Sequence, residues 1–305
     1  MIHKMKLDKM PFNEIVRGEK TVELRLFDEK RQKIKVGDTL YFEHRTECGR
    51  AVFCRVTGIF KYPSFKELYG DIPPSKYGHS GEDMNRYYLP EEQKRYGVVG
   101  IEFIIDRVKN EIYSARDDEY REFTAALLPS VEKERIVGVR IPLLRKYSQA
   151  LIKEKRAADF IKDLQSHELF EEFAIHGFIL EAEKDFNACV LAMEEFLPLV
   201  DNWAVCDSTN PKVFKKNKEA LEGHVKRWIS SDREYTVRYG IKMLMDHYLG
   251  ESLEKRYPEM VADVKSDKYY VNMMRAWYFA TALAKNWETV IPFIQEFKLD
   301  VWTHN

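Results

Sequence analysis

Apolar positions change their period along the chain. Before residue 110 they alternate. Val22, Leu24 and Leu26 fall on one side of an extended segment, and Thr21, Glu23 and Arg25 fall on the other. Lys33-Ile34-Lys35-Val36 leads through a Gly37-Asp38 turn into Thr39-Leu40-Tyr41-Phe42, and residues 51–56 and 97–104 read as further strands. Residues 11–16 read as a short helix that ends at Arg17-Gly18. Residues 63–96 are rich in Pro, Gly and Tyr and read as a long excursion with a short helix near Phe65–Tyr69. Excursions of that length in a small domain are usually functional or mobile. Several short strands with one or two helices predict a small β-barrel.

From Asp117 onward the period is helical, with Tyr120, Phe123, Leu127 and Leu128 at three- and four-residue steps. Val139-Arg140-Ile141-Pro142-Leu143-Leu144 opens a helix with Pro142 in its first turn. Further helices are predicted over residues 157–165, 168–183, 187–197, 211–221, 223–231, 233–249, 252–263, 268–285 and 287–297. Asp185-Phe186-Asn187, Asn210-Pro211 and Tyr257-Pro258 separate them. Helices in pairs of about 35–40 residues fit an α-solenoid with a concave surface. The predicted class is therefore α+β and multidomain: a small β-barrel over 1–110 and an all-α solenoid over 111–305. The chain ends at Trp302-Thr303-His304-Asn305, where another helix is expected, so a truncated C-terminus is one expectation.

Composition narrows the function classes. The 305 residues are 45% hydrophobic and 32% charged, with a net charge of -1, so no global basic signature marks the chain as a nucleic-acid binder. Residues 1–110 hold 21 Lys and Arg against 17 Asp and Glu, while the remainder has an excess of acids. A polyanion bound by the helical region has to meet a local basic patch. Cys48, Cys54, Cys189 and Cys206 lie far apart without metal-ligand spacing, which predicts a reduced, cytoplasmic protein with no metal. No apolar run approaches the roughly 18–20 residues of a membrane span, and the N-terminus lacks an apolar signal core. No Gly-rich phosphate loop is present, so no cofactor is expected.

The sharpest motif of the strand-rich region is Gly18-Glu19-Lys20-Thr21-Val22-Glu23-Leu24-Arg25. Glu23 and Arg25 share one strand face and can pair in a cleft, and Lys20 just ahead of them can add a phosphate contact. A structural ion pair with a solvated Lys20 is the simpler alternative. The segment fits the G-x-K-x-x-E-x-R pattern of the ASCH domain, a small PUA-like barrel, and the resemblance covers about residues 1–107. It implies a pocket formed by Lys20, Glu23 and Arg25 that takes RNA or a modified nucleotide; some relatives hydrolyse modified nucleosides. The run Lys30-Arg31-Gln32-Lys33-Ile34-Lys35 is the strongest basic cluster of this region.

Among the predicted helices, the stretch Asp201-Asn202-Trp203-Ala204-Val205-Cys206-Asp207 stands out. It puts a tryptophan and a carboxylate four residues apart, so a helix projects both from one face. An aromatic face beside a carboxylate suits a developing cation, such as a sugar whose glycosidic bond is breaking. With Gly138–Arg145, His167–Glu172 and Val271–Trp277, in that order, this stretch resembles the DNA alkylation repair family, the AlkD-like HEAT-repeat glycosylases. The resemblance covers about residues 113–305. It implies a DNA glycosylase that hydrolyses the N-glycosidic bond of cationic N3- or N7-alkylated purines in duplex DNA, as a cofactor-free monomer. It also implies Asp207 as the catalytic carboxylate, Trp203 and Trp277 as the aromatics of the cleft, and Arg238 as a phosphate- or sugar-contacting arginine. Ala204 stands where well-known members have Asp.

Lys215, Lys216, Lys218, Lys226 and Arg227 cluster nearby in sequence and are candidate phosphate contacts. Arg238 shares a helical face with Tyr235 and Lys242, opposite Val237, Ile241, Leu244 and Tyr248, which predicts a cationic stripe beside an apolar one. Each of these residues has a structural alternative. Asp207 can end one helix and cap the next, and the tryptophans can be core. Glu168, Glu171 and Glu172 read as an exposed helix face, and His167 and His176 as structural. A nucleic-acid-binding protein without chemistry, and nucleoside hydrolysis by Lys20 and Glu23, are the competing functions.

Overall fold

The strands all lie before residue 106 and the remainder is helical, as the two periods predict, but the strand-bearing part also holds more helix than the one or two short segments expected. The computed structural model describes residues 1–304. It resolves into two units, Met1–Ala115 and the chain from Arg116 onward.

The first unit is a five-stranded half-barrel. In chain order its elements are β1 (Ile2–Leu7), α1 (Lys9–Val16), β2 (Val22–Leu26), β3 (Thr39–His44), β4 (Ala51–Tyr62), α2 (Phe65–Asp71), α3 (Pro74–Tyr77), α4 (Pro90–Tyr96), β5 (Val98–Ile105) and α5 (Arg107–Ser114). The strand order is β1-β3-β4-β5-β2. β1 runs parallel to β3, and the other neighbours are antiparallel. An irregularity between Val56 and Gly58 lets the long β4 pair first with β3 and then along β5. Alternation gives two cores. Met5, Phe12, Leu40, Phe42 and Phe103 fill one. Val22, Leu24 and Leu26 fill the other with Phe65, Leu68 and Tyr77 from the excursion over 63–96. β2 therefore turns Glu23 and Arg25 away from its apolar face. α5 belongs to this unit, because Asn110 holds the Phe53 N–H at 3.0 Å and donates to its carbonyl at 2.8 Å.

Residues 33–36 are not a strand. Asp28 accepts the Arg31 N–H at 3.0 Å and the Arg31 guanidinium at 2.7 Å, which winds Arg31–Lys33 into a 3₁₀ turn and drops Ile34 into the core.

The second unit is helical throughout. Its helices are α6 (Asp118–Leu127), α7 (Ile141–Lys153), α8 (Ala157–Lys162), α9 (Phe170–Leu180), α10 (Phe186–Phe196), α11 (Trp203–Ser208), α12 (Lys218–Ile229), α13 (Glu234–His247), α14 (Arg256–Ala262), α15 (Tyr269–Lys285), α16 (Trp287–Gln295) and α17 (Val301–His304). Alternate helices pack side by side, α7 on α9, α9 on α11, α11 on α13, α13 on α15 and α15 on α17. α8, α10, α12, α14 and α16 back this row. The predicted helices at 211–221 and 223–231 are instead a 3₁₀ turn at Phe214–Lys216 and the single helix α12, which carries Gly223 in its interior.

α9 and α13, each flanked on two sides and backed on a third, bury nearly every residue. All of α9 is buried, including Glu171 and Glu172, which corrects their reading as an exposed face. Glu171 accepts the backbone N–H groups of Val137, Gly138 and Val139 at 2.7–3.3 Å, and Glu172 accepts those of Glu168 and Leu169 at 3.0 Å. These carboxylates tie the chain ahead of α7 and the start of α9 into the stack. His167 and His176 are buried beside each other, 3.2 Å apart, with His176 stacked on Phe196.

Candidate functional site

Asn202 starts α11 by accepting the Val205 N–H at 2.9 Å, so Trp203 and Asp207 lie one turn apart on the same side. The helix is seated closely. Gly177 of α9 faces Thr209 so tightly that a β-carbon at 177 would come within 2.2 Å of the Thr209 hydroxyl. Cys206 points inward and donates weakly to the Tyr235 carbonyl at 3.5 Å. Asp207 and Trp203 point the other way and are half-buried. The Trp203 indole N–H donates to the Leu127 carbonyl at 3.2 Å, which fixes the ring.

Arg238 donates to both oxygens of Asp207, from Nε at 2.8 Å and from Nη2 at 2.6 Å, and from Nη1 to the Tyr270 carbonyl at 2.6 Å. It is 1% exposed. Burial disfavours its charge, but the Asp207 carboxylate more than offsets this and raises its pKa. The cationic stripe expected from Arg238 and Lys242 is therefore not open to a ligand. α13 is covered by α11 on one flank and α15 on the other, so its polar face is interior as well. Arg238 cannot reach a phosphate. It positions Asp207 instead, by a planar fork that a lysine cannot reproduce. Lys242 is also buried and is paired with Asp246 at 2.5 Å, so it too is no phosphate contact.

Trp277 is on α15 and 48% exposed, not core. It borders a hollow of about 400 Å³ with Asn210, Lys215, Asp246, His247 and Lys285. Asp207 does not line that hollow, but the two are linked. Asn210, three residues beyond Asp207, donates to Asp246 at 3.2 Å, and Lys242 lies one turn after Arg238. A row of aromatic rings runs from Tyr235, 5.9 Å from Tyr270, which packs on Tyr269, itself on Trp302. The adjacent tyrosines at the start of α15 were the available sequence signal for this row.

The basic candidates divide. Lys215 and Lys216 are exposed. Lys218 donates to Ser252 at 2.8 Å, Lys226 pairs with Glu222 at 2.7 Å and Arg227 with Glu194 at 2.7 Å. Lys226 faces a separate hollow between the α12–α13 and α14–α15 turns.

In the first unit, Lys20, Glu23 and Arg25 do come together, in a hollow of about 420 Å³. Glu23 sits between Lys20 at 3.3 Å and Arg25 at 2.8 Å. Lys20 also donates to the Tyr77 carbonyl at 3.1 Å and the Ser80 hydroxyl at 3.4 Å, and Arg25 to the Tyr88 hydroxyl at 3.3 Å. Burial alone would push the Glu23 carboxyl up, and the two cations together hold it below the ordinary glutamate value. Lys20 is 3% exposed, so it balances Glu23 rather than waiting free for a phosphate. Tyr87, exposed, and Tyr88 form the wall beside Arg25. In the basic run, Arg31 is bound to Asp28.

Residues 108–298 match the family model described as DNA alkylation repair enzyme, and residues 5–106 match that of the ASCH domain. The chain belongs to the DNA alkylation repair enzyme family and carries an ASCH domain ahead of the family's helical portion. Among solved structures, the hypothetical protein PH0355 is 33% identical, with 35% of this chain and 100% of that chain covered and a TM-score of 0.31. Protein PF0455 from Pyrococcus furiosus is 31% identical, with 35% and 99% covered and a TM-score of 0.30. No curated protein matches. Among the described residues no helix is long and apolar enough to cross a membrane.

Proposed function

We propose that the helical unit, read as a HEAT-like solenoid, is a DNA glycosylase that removes cationic N3- or N7-alkylated purines from duplex DNA. The observation that carries this reading is the Asp207 carboxylate, gripped by the buried Arg238 one helical turn from the half-exposed ring of Trp203. An alkylated purine already bears a positive charge. It leaves with the electrons of the C1′–N bond and needs no general acid to protonate it. The positive charge passes to the sugar, where Asp207 opposes it and the Trp203 face adds cation–π attraction. A water held by the outer lone pairs of Asp207 adds to C1′ and gives up its proton to that carboxylate, which passes it to solvent. Arg238 keeps the carboxylate from rotating, so the field needs no reorganisation as the charge develops.

The test is the dependence on leaving-group charge. Duplexes carrying N7-methylguanine release the base, whereas duplexes carrying the neutral purine hypoxanthine do not. Release of neither, with DNA still bound, removes the glycosylase and leaves a binding protein.

A second role falls to the ASCH domain. Its hollow joins an ionic floor of Lys20, Glu23 and Arg25 to tyrosine walls, a combination that suits a base with its phosphate. Arg25→Ala is expected to weaken binding of single-stranded RNA by the full chain and to leave purine release unchanged.

A further inference from the structure

The hollow beside Trp277 is lined by two lysines and a single carboxylate. Two of its lining residues, Lys215 and Lys285, are exposed and make no ion pair among the described residues. Its one carboxylate is already committed, because Asp246 accepts from Lys242 and from Asn210. His247, 7% exposed, also lines the hollow, and its Nε2 has no hydrogen-bond partner. Buried polar atoms are rarely left so in native proteins unless a ligand or water completes them. Burial lowers the His247 pKa to about 4, so the ring is neutral at physiological pH and adds no charge of its own. The half-exposed indole of Trp277 stands at the edge of the same hollow.

We infer that this hollow seats one backbone phosphate of a bound DNA strand, clasped by Lys215 and Lys285, with the neighbouring sugar or base against Trp277. The inference rests on the reading of the helical unit as a DNA-binding enzyme, but not on base release. The clasp fixes the register of the strand. Asn210 and Asp246 join its lining to the end of α11, so a phosphate seated there holds the strand alongside the Asp207 site.

The experiment is a fluorescence-anisotropy titration of full-length protein with a labelled alkylated duplex over a range of salt concentrations. Three proteins are compared: wild type, Lys215→Ala/Lys285→Ala, and the control Lys265→Ala/Lys268→Ala, whose lysines line a separate hollow of this unit. All four substitutions are on the surface, and a melting curve checks each fold. The clasp variant is expected to bind on the order of tenfold more weakly near 0.1 M salt, with a log K against log[salt] slope shallower by about one, as for one lost phosphate contact. The control keeps the wild-type slope. Equal losses in both variants would mean a diffuse basic field, and no loss in the clasp variant would mean an empty hollow; either overturns the inference. A wild type that binds with the clasp signature and releases no base keeps the inference and removes the glycosylase. A wild type that releases base while the clasp variant binds normally removes only the clasp.

Discussion

Arg238 meets both oxygens of Asp207 while being itself closed off from solvent, so the candidate catalytic group is held by a fully buried cation. Truncating one partner of such a pair strands the other. Arg238→Ala is expected to cost about 3–5 kcal/mol of stability, because the Tyr270 carbonyl and the Asp207 carboxylate both lose their donor. Arg238→Lys restores charge but not the fork, so it should partly recover stability and recover purine release much less. Denaturant unfolding together with single-turnover excision separates the two effects. An Arg238→Lys protein that excises as fast as wild type would remove the positioning role.

The seat of α11 predicts a distal effect. Gly177→Ala places a methyl group against Thr209 and forces α9 and α11 apart. The expected loss is about 1–3 kcal/mol, with a fall in excision rate larger than the fall in DNA affinity. Adding Thr209→Ala relieves the clash and should recover most of both. Unchanged excision in Gly177→Ala would show that the spacing of these helices does not set the Asp207 position.

Acid should loosen the helical unit through His176. Its pKa is pushed down to about 3, mainly by burial and further by His167. The unfolded chain takes up that proton near 6.5, so between the two values the unfolded state binds more protons and stability falls as pH falls. The expected slope is roughly 1.4 kcal/mol per pH unit for this histidine. His176→Phe keeps the stack on Phe196 and should flatten the pH dependence between 6 and 4, as read from melting temperatures. An unaltered slope would rule out His176 as the source.

Glu23 works in the opposite sense from a buried histidine but in the same pH direction. Its folded pKa lies below the ordinary value, so its contribution is complete above about 4.5 and is lost as pH drops through the folded value. Glu23→Gln leaves Lys20 buried without a counter-charge and should cost several kcal/mol at pH 7. It should also lessen the acid sensitivity of the ASCH domain. Equal stability of the two proteins at pH 7 would contradict this.

What the sequence reveals depends on how many sides of an element are covered. β2 has one apolar face, so period two assigns Val22, Leu24 and Leu26 to the core and Glu23 and Arg25 to the opposite hollow. α11 is short and has one open side, so the four-residue spacing of Trp203 and Asp207 predicts their common face. α9 and α13 are covered on both flanks, and there polarity no longer reports exposure: Glu171, Glu172, Arg238 and Lys242 are all interior. Their partners come from distant segments such as Val137–Val139 and Tyr270, which local pattern does not contain. β1 alternates but is short, with only Met5 and Leu7 buried, and its pairing with β3 is long-range. The hollow beside Trp277 draws on three separate stretches, and only Lys215 and Trp277 stood out in the sequence.

The most direct measurement is the single-turnover rate of base release from a duplex with one N7-methylguanine, for wild type and Asp207→Asn, with the affinity of each for the same duplex. Asparagine keeps the size of the side chain and removes its charge. A rate lower by on the order of 10²-fold or more at unchanged affinity is the predicted result; equal rates for the two proteins would contradict the assignment of Asp207.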